Sequence, residues 1–481
     1  MKRPNVLLII SDQQRTDTLG FVGRTPCRTP NLDRLAAQGV SFDQAITPSP
    51  LCGPARAAIF NAQYPHQVSG RPEPGSQGPL ADGEFDPSAR DMLLNDYTCL
   101  AEPHLTRLLK AHDYHTAYAG KWHLGNDVLG NWFERYDGNV NSRYVDWLRE
   151  QGLPETGWPL NDPELRTTRT PRMSVPHTKP SPLQPEQTND AWITDIALRF
   201  LEERPREKPF FAVCGFNGPH PPFMIPEPYY SMYDPADVPE PVNFQWSDGE
   251  PNCKKESFYR QLAMDHGETW DAWKMSVAVY WGFCTLIDDQ VGRLIRGLEY
   301  QNALDNTVII YCSDHGEMLG QHGLWHKMQP YEEALRVPLI LCGPGVPASS
   351  RSPATVSLID IAPTILSAAG IAAPAAYEGR DLAEGYGVRQ PEDRTVFSEQ
   401  KPLGAFHGET DWRLACDGRY KYVWNRDDRD ELYDLESDPC ELHNRIDHPA
   451  AHGAKTRLQD ELHQWMITTG DPLTGLLQEI P

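Results

Sequence analysis

Around residue 50 the chain reads Pro50-Leu51-Cys52-Gly53-Pro54-Ala55-Arg56-Ala57, a spacing that can activate a sulfur atom. Pro54 suits the first turn of a helix. Cys52 then sits beside a helix N-terminus, where free N–H groups and the macrodipole favour an anion. Arg56 follows four residues on, one turn away, and can point back at the same spot. The result is a partly activated thiol, although the same residues also fit a buried structural cysteine ahead of an ordinary helix. A second group, Ser313-Asp314-His315-Gly316-Glu317, joins Asp12 and Gln13 to offer two carboxylates, an imidazole and an amide oxygen. Hard divalent cations prefer oxygen, and the imidazole widens the choice towards Mn²⁺. Taken alone, Asp-His-Gly is equally a capped turn.

The third group is cationic. Lys121 and His123 are two apart on an expected extended segment, which points them the same way. His220 lies in the stiff run Pro219-His220-Pro221-Pro222, and Lys327 follows Trp325 and His326. A tetrahedral oxyanion such as sulfate is held by a metal, Arg and Lys, with His free to move protons. Each of these residues taken singly reads as solvated surface, and His112, His322, His326 and His407 are left with that reading.

Positioning such groups needs a scaffold. Val6 to Ile10, Thr116 to Ala119, Phe210 to Gly215, Thr307 to Tyr311 and Val337 to Leu341 read as apolar strands. Between them, Pro30 to Ala37 reads as a helix with Thr29 as its N-cap and Gly39 past its end. Asp271 to Tyr300 has helical periodicity. Alternating strands and helices predict a large, mostly parallel sheet sandwiched by helices. Asp12, Lys121, His123, His220, Asp314 and His315 all fall just beyond the C-terminal ends of strands, where open α/β sheets bind ligands.

Residues of about 125 to 190, rich in Pro and Trp, read as an insertion that shapes a pocket, and 230 to 270 are similar. Trp132, Tyr144, Trp147, Trp158 and Trp192, in or near the first of these, either stack on a substrate or form local core. After about 375 the character changes. Short strands at Trp412 to Cys416, Tyr420 to Trp424 and Glu431 to Leu435 and a helix at about 454 to 468 predict a smaller C-terminal subdomain with a short antiparallel sheet. The division expected is 1–375 and 376–481.

Composition narrows the partners. A net charge of -23 repels polyanions, so nucleic acid is excluded as a partner and positive charge must be concentrated locally against the global sign. No apolar run reaches membrane-spanning length, and Val6 to Ile10 is too short for a signal core. The ten cysteines are scattered without CxxC pairs. Cys214, Cys312 and Cys342 sit in apolar runs as small buried thiols, so a cytoplasmic protein with reduced cysteines is expected.

In combination the motifs resemble the type I, formylglycine-dependent sulfatases of the alkaline phosphatase superfamily. The landmarks are Pro4-Asn5-Val6-Leu7 to Asp12, Thr29-Pro30-Asn31-Leu32-Asp33-Arg34-Leu35, Cys52-Gly53-Pro54-Ala55-Arg56, Gly120-Lys121-Trp122-His123-Leu124-Gly125 and Ser313-Asp314-His315-Gly316-Glu317. Arg336-Val337-Pro338-Leu339-Ile340, Asp360-Ile361-Ala362-Pro363-Thr364 and Glu431-Leu432-Tyr433-Asp434-Leu435 follow in order. The resemblance implies an alkaline phosphatase-like fold and hydrolysis of a sulfate monoester, from a small molecule or a carbohydrate.

It further implies that a maturation enzyme oxidises Cys52 to formylglycine, whose hydrate attacks sulfur and later expels sulfate. Asp12, Gln13, Asp314 and His315, with residue 52, correspond to the ligands of one divalent ion, Ca²⁺ first and Mn²⁺ as the alternative. Arg56 corresponds to the residue that holds the formylglycine hydroxyl. Lys121 and Lys327 correspond to the sulfate grip, His220 or Lys327 to the acid on the leaving alcohol, and His123 to the base that breaks down the hemiacetal. Gln13 and His315 replace the commoner Asp and Asn, as in choline sulfatases and in phosphonate monoester and phosphodiester hydrolases. A phosphonate or phosphodiester substrate is therefore the nearest alternative. A catalytically inactive metal-binding protein with unmodified Cys52 is another, and a homo-oligomer is compatible with the sequence.

Overall fold

The structure is a computed structural model that describes residues 3–68, 103–124, 132–137, 140–155, 178–244, 249–385, 394–401 and 411–477. Much of the expected insertion, with Trp158, lies outside the described residues, as does His407.

The apolar strand runs assemble into an eight-stranded sheet of order β10-β2-β9-β8-β1-β6-β3-β4. Its strands are β1 (Asn5–Ser11), β2 (Gly39–Ile46), β3 (His115–Gly120), β4 (Arg135–Asp137), β6 (Phe210–Gly215), β8 (Thr307–Ser313), β9 (Leu339–Cys342) and β10 (Ser350–Ser357). A two-stranded parallel ribbon pairs β5 (Thr178–Pro180) with β7 (Phe223–Ile225). Strands β8, β1, β6, β3 and β4 are mutually parallel, and only β9 runs against its neighbours β8 and β2.

The central strands are apolar throughout because both faces of the sheet are covered. Leu7 and Ile9 of β1 point to one side and pack with Ile193 and Ile196 of helix Asn189–Glu203 and with Leu286 and Val291 of the long helix Trp270–Tyr300. Val6, Leu8 and Ile10 point to the other side, against Ile59 and Phe60 of helix Cys52–Asn61 and Ile365 of helix Ile361–Ala368. This is the period-two alternation of a strand with a core on each face.

Beyond residue 394 lies a four-stranded antiparallel meander, β11 (Val396–Gln400), β12 (Trp412–Cys416), β13 (Tyr420–Asn425) and β14 (Glu431–Asp434). Helix His452–Thr469 covers it through Leu458, Leu462 and Trp465. Val396, Trp412 and Leu414 share a core with Ile46, Met318 and Tyr331, so the small sheet packs on the loops at the large sheet's C-terminal edge.

Three expectations are corrected and one is refined. The strand foreseen from Val337 begins at Leu339, because Pro338 has no N–H for the ladder. Thr29 is the N-cap of its helix, as expected, but its side chain makes no bond to the first turn's backbone. Its hydroxyl donates to Asp33 Oδ1 (3.0 Å) and accepts from the Gly20 N–H (2.7 Å). Cys342 is only partly buried. His123 is not on an extended segment, since its φ of 62° is left-handed.

Candidate active site

Strand register levels the sheet's C-terminal edge. Ser11 pairs with Ser313, Ile10 with Gly215, and Gly215 with Gly120. The residues that follow, Asp12, Asp314, Lys121 and the loop to His220, therefore emerge side by side. Backbone bonds tie them together: Asp314 N–H donates to Ser11 C=O (3.2 Å), Asp12 N–H to Gly218 C=O (3.1 Å) and Lys121 N–H to Gly215 C=O (2.7 Å).

Cys52 is the first residue of helix Cys52–Asn61, every residue of which is buried. Its Sγ lies 3.1 Å from His315 Nε2, 3.0 Å from Lys327 Nζ and 3.6 Å from Asp12 Oδ1. His123 and His220 also reach it by side-chain hydrogen bonds. Lys121 Nζ donates to Asp12 Oδ2. The structure thus brings together every residue singled out for the site.

Arg56 lies near enough to Cys52 to feel its charge. It is fully buried and its fork is committed to the scaffold: Nε donates to Asp314 Oδ2 (2.8 Å), Nη1 to the Lys121 carbonyl (2.7 Å) and Nη2 to Asp12 Oδ2 (3.5 Å). A side chain at Gly215 would crowd this fork, because a Cβ there would lie 3.1 Å from Arg56 Nη1 and 2.7 Å from the Lys121 carbonyl.

Charge follows from this crowding. Burial raises the Cys52 thiol, but Lys121, Lys327 and His315 outweigh it and hold it well below its ordinary value. Burial and the Cys52 sulfur push Asp12 up, and Lys121, His220 and Lys327 bring it below the usual carboxylate range. Burial, then Asp12, pushes Asp314 up to about 6. Burial, aided by Lys327 and Lys121, pushes His220 down to about 4. Its Nδ1–H donates to the Pro221 carbonyl (2.6 Å), which leaves Nε2 for the site.

Asp12, Cys52, Asp314 and His315 offer one ligand atom each, all within 4.8 Å of one another. His315 Nε2 stands 3.9 Å from Asp12 Oδ1 and 3.6 Å from Asp314 Oδ1. Ligands about 2.0–2.5 Å from one ion are separated by about 3–4 Å, so the donor set fits a divalent cation. Gln13 sits at its edge, with Oε1 accepting from Lys327 Nζ (2.8 Å) and Nε2 donating to Glu317.

Sequence reasoning missed what supports this ring. His326 is buried, not solvated: its Nδ1 lies 3.0 Å from Gln13 Nε2 and its N–H donates to Glu317 Oε1 (2.7 Å). His322 is buried as well, stacked on Tyr331 at 3.8 Å between centroids. The Met318 N–H donates to the His326 carbonyl (2.7 Å), folding this segment back on itself, and neighbouring Trp325 is fully buried. His112 is only partly buried. Among the aromatics, Tyr144 and Trp192 are buried core, Trp147 packs partly buried against that core, and Trp132 packs partly buried against the core on the sheet's other face. Tyr144 also borders a chamber of about 30 Å³ beside His220, lined further by Asn189, Asp190, Asn217 and Phe283. Glu317 and Asp190 were not foreseen. A carboxylate two residues after His315 was the available signal for Glu317, whereas Asp190 sits in an unremarkable helical first turn.

Comparison with known proteins places these observations. The sulfatase family profile matches residues 4–371, and the profile for the C-terminal part of N-sulphoglucosamine sulphohydrolase matches 320–468. An uncharacterized sulfatase, YidJ, from Escherichia coli is 30% identical over 98% of this chain and 89% of its own. The multifunctional alkaline phosphatase superfamily protein PehA of Trinickia caryophylli is 31% identical over 98% and 96%. Among solved structures, one bound to its substrate D-glucosamine-2-N,6-O-disulfate aligns with TM-score 0.76 at 22% identity, covering 98% of this chain and 99% of that one. The phosphonate monoester hydrolase of Agrobacterium radiobacter aligns at 0.75 and 24%, covering 97% and 96%. The chain belongs to the sulfatase family and is an enzyme of that family, with the alkaline phosphatase-like fold. No described helix is long and apolar enough to cross a membrane.

Proposed function

We propose that the enzyme hydrolyses a sulfate monoester, of a sugar or another small alcohol, at residue 52 after its oxidation to formylglycine. The observation that carries this is the ring around Cys52: two lysines and three histidines face a sulfur atom backed by two buried carboxylates. Sγ stands in for the oxygens of the hydrated aldehyde, whose chemistry is a nucleophilic hydroxyl with a second hydroxyl for release.

Asp12, Asp314, His315 and the modified residue 52 would hold a divalent ion, with the Gln13 amide oxygen beside them. That ion supplies Lewis acidity at a sulfate oxygen. Ca²⁺ suits the oxygen donors, and the His315 nitrogen favours Mn²⁺ as the alternative. Lys121 and Lys327 bind the sulfate oxygens. Arg56 fixes Asp12 and Asp314 and would hold the formylglycine hydroxyl. His220 donates the proton to the departing alcohol oxygen, because the bound anion draws its depressed pKa back up. Lys327 is the second donor within reach, and His123 takes the proton when the product sulfate is released.

Gln13 and His315, with the likeness to PehA and the phosphonate hydrolase, support a second reading in which a phosphonate monoester or phosphodiester is cleaved at the same centre. Matured enzyme assayed with 4-nitrophenyl sulfate, a nitrophenyl phosphodiester and a phenyl phosphonate ester separates the two. The sulfate reading requires the highest kcat/KM on the sulfate ester, abolished by EDTA and restored by Ca²⁺ or Mn²⁺. A higher value on the phosphonate overturns it. Mass and activity of matured protein decide against or for an inactive metal binder. The nine described cysteines are all free, which supports a reducing compartment and a cytoplasmic enzyme. The catalytic domain is taken to end at about residue 375, with the small sheet as its C-terminal subdomain.

A further inference from the structure

His220 sits on a loop with no regular structure of its own, so something must fix that loop. The anchor is the first turn of helix Asn189–Glu203. Asp190 is buried, and its Oδ1 accepts from the backbone N–H groups of Asn217 (2.9 Å) and Gly218 (3.1 Å). Asn189 Oδ1 accepts from the Asn217 side chain at 2.5 Å. The loop is also pressed against Phe283, whose ring would lie 2.4 Å from a Cβ at Gly218. The Gly218 carbonyl then accepts the Asp12 N–H, so the residue that Asp190 holds also orients the backbone of the first strand-end carboxylate. Two hydrogen bonds accepted by one carboxylate oxygen fix two successive peptide N–H groups, the second of them two residues ahead of His220.

We propose that Asp190 is a positioning residue for leaving-group protonation, acting through the Asn217–Gly218 backbone on His220. This rests on the reading of His220 as the acid. The clamp is two residues from His220 and reaches Asp12 only through that residue's backbone N–H, so its removal bears first on the acid. Displacing an acid by about 1 Å removes much of a contribution that is about 10²–10⁴-fold when intact. The loss falls on alcohols that leave poorly without a proton and spares those that leave well as anions.

The test compares an alkyl sulfate with 4-nitrophenyl sulfate in matured wild type, Asp190→Ala, Asp190→Asn, His220→Ala and the Asp190→Ala/His220→Ala double variant. Asp190→Ala should lose about 30-fold in kcat on the alkyl ester and under about 3-fold on the nitrophenyl ester. Asp190→Asn, which keeps the acceptor oxygen, should stay within about 3-fold of wild type on both. In the His220→Ala background Asp190→Ala should cost nothing further on the alkyl ester. Should Asp190→Ala yield no folded protein, Asp190→Glu, which displaces the acceptor by one methylene, is read in its place. An equal loss on both esters, or an undiminished loss without His220, overturns the role of Asp190 while leaving His220 as the acid. If His220→Ala itself is indifferent to the leaving group, the parent reading fails and this one with it.

Discussion

Replacing Glu399 by Gln tests how the small sheet braces the nucleophile. Glu399 is the penultimate residue of β11, and its backbone N–H donates to the Pro48 carbonyl (3.0 Å), four residues before Cys52. Its carboxylate accepts from the backbone N–H of His66 (2.6 Å) and lies 2.8 Å from His66 Nδ1 and 3.4 Å from Arg413 Nε. Burial pushes this carboxyl up, but His66 and Arg413 outweigh burial and bring it from 4.5 down to about 2. The group is fully buried, so solvent screening takes little from the effect. At about 1.4 kcal/mol per tenfold change in proton affinity, the ionised form stabilises the fold by about 3 kcal/mol. A folded pKa below the unfolded one gives stability that is complete above pH 4.5 and is lost as pH falls through 4.5 towards 2. Glu399→Gln should therefore cost about 3 kcal/mol in urea unfolding at neutral pH, and the gap from wild type should narrow by about 1 kcal/mol at pH 4. A neutral-pH gap below about 1 kcal/mol, or one that widens in acid, would refute the reasoning.

Two further outcomes follow from the buried ring. Arg56→Ala strands the Asp314 and Asp12 carboxylates and the Lys121 carbonyl, and should cost about 3–5 kcal/mol in EDTA-treated protein. Arg56→Lys recovers only part of that, since one ammonium cannot span three acceptors, and a cost under about 1 kcal/mol for Arg56→Ala contradicts the clamp. Lys327→Ala in matured enzyme should lower kcat/KM by about 10²–10³-fold with the melting curve little changed, and a loss below about 5-fold removes Lys327 from the sulfate grip.

The parts legible in the sequence are those with short-range causes. Val6 to Ile10 and Thr307 to Tyr311 are apolar on both faces, so they had to be central strands, and the groups after them had to meet at one edge. The order of strands was hidden, because β2 and β10 carry polar residues such as Ser41, Gln44 and Ser352 that mask their period. His326 and Glu317 were hidden for another reason. Their burial is produced by a loop that folds under Trp325, and loops have no repeat from which to read a buried face. Arg56 was placed near Cys52 by helical spacing, but only the arrival of β3 and β8 decides that it serves the carboxylates and the Lys121 carbonyl.

The central claim is chemical, and a mass measurement reaches it most directly. The peptide containing Cys52, from protein co-expressed with a formylglycine-generating enzyme, should be about 18 Da lighter than the thiol form, and sulfate ester turnover should rise in proportion to the lighter fraction. Full activity in protein that carries only the thiol, or no turnover of any sulfate ester by fully converted protein, would contradict the account.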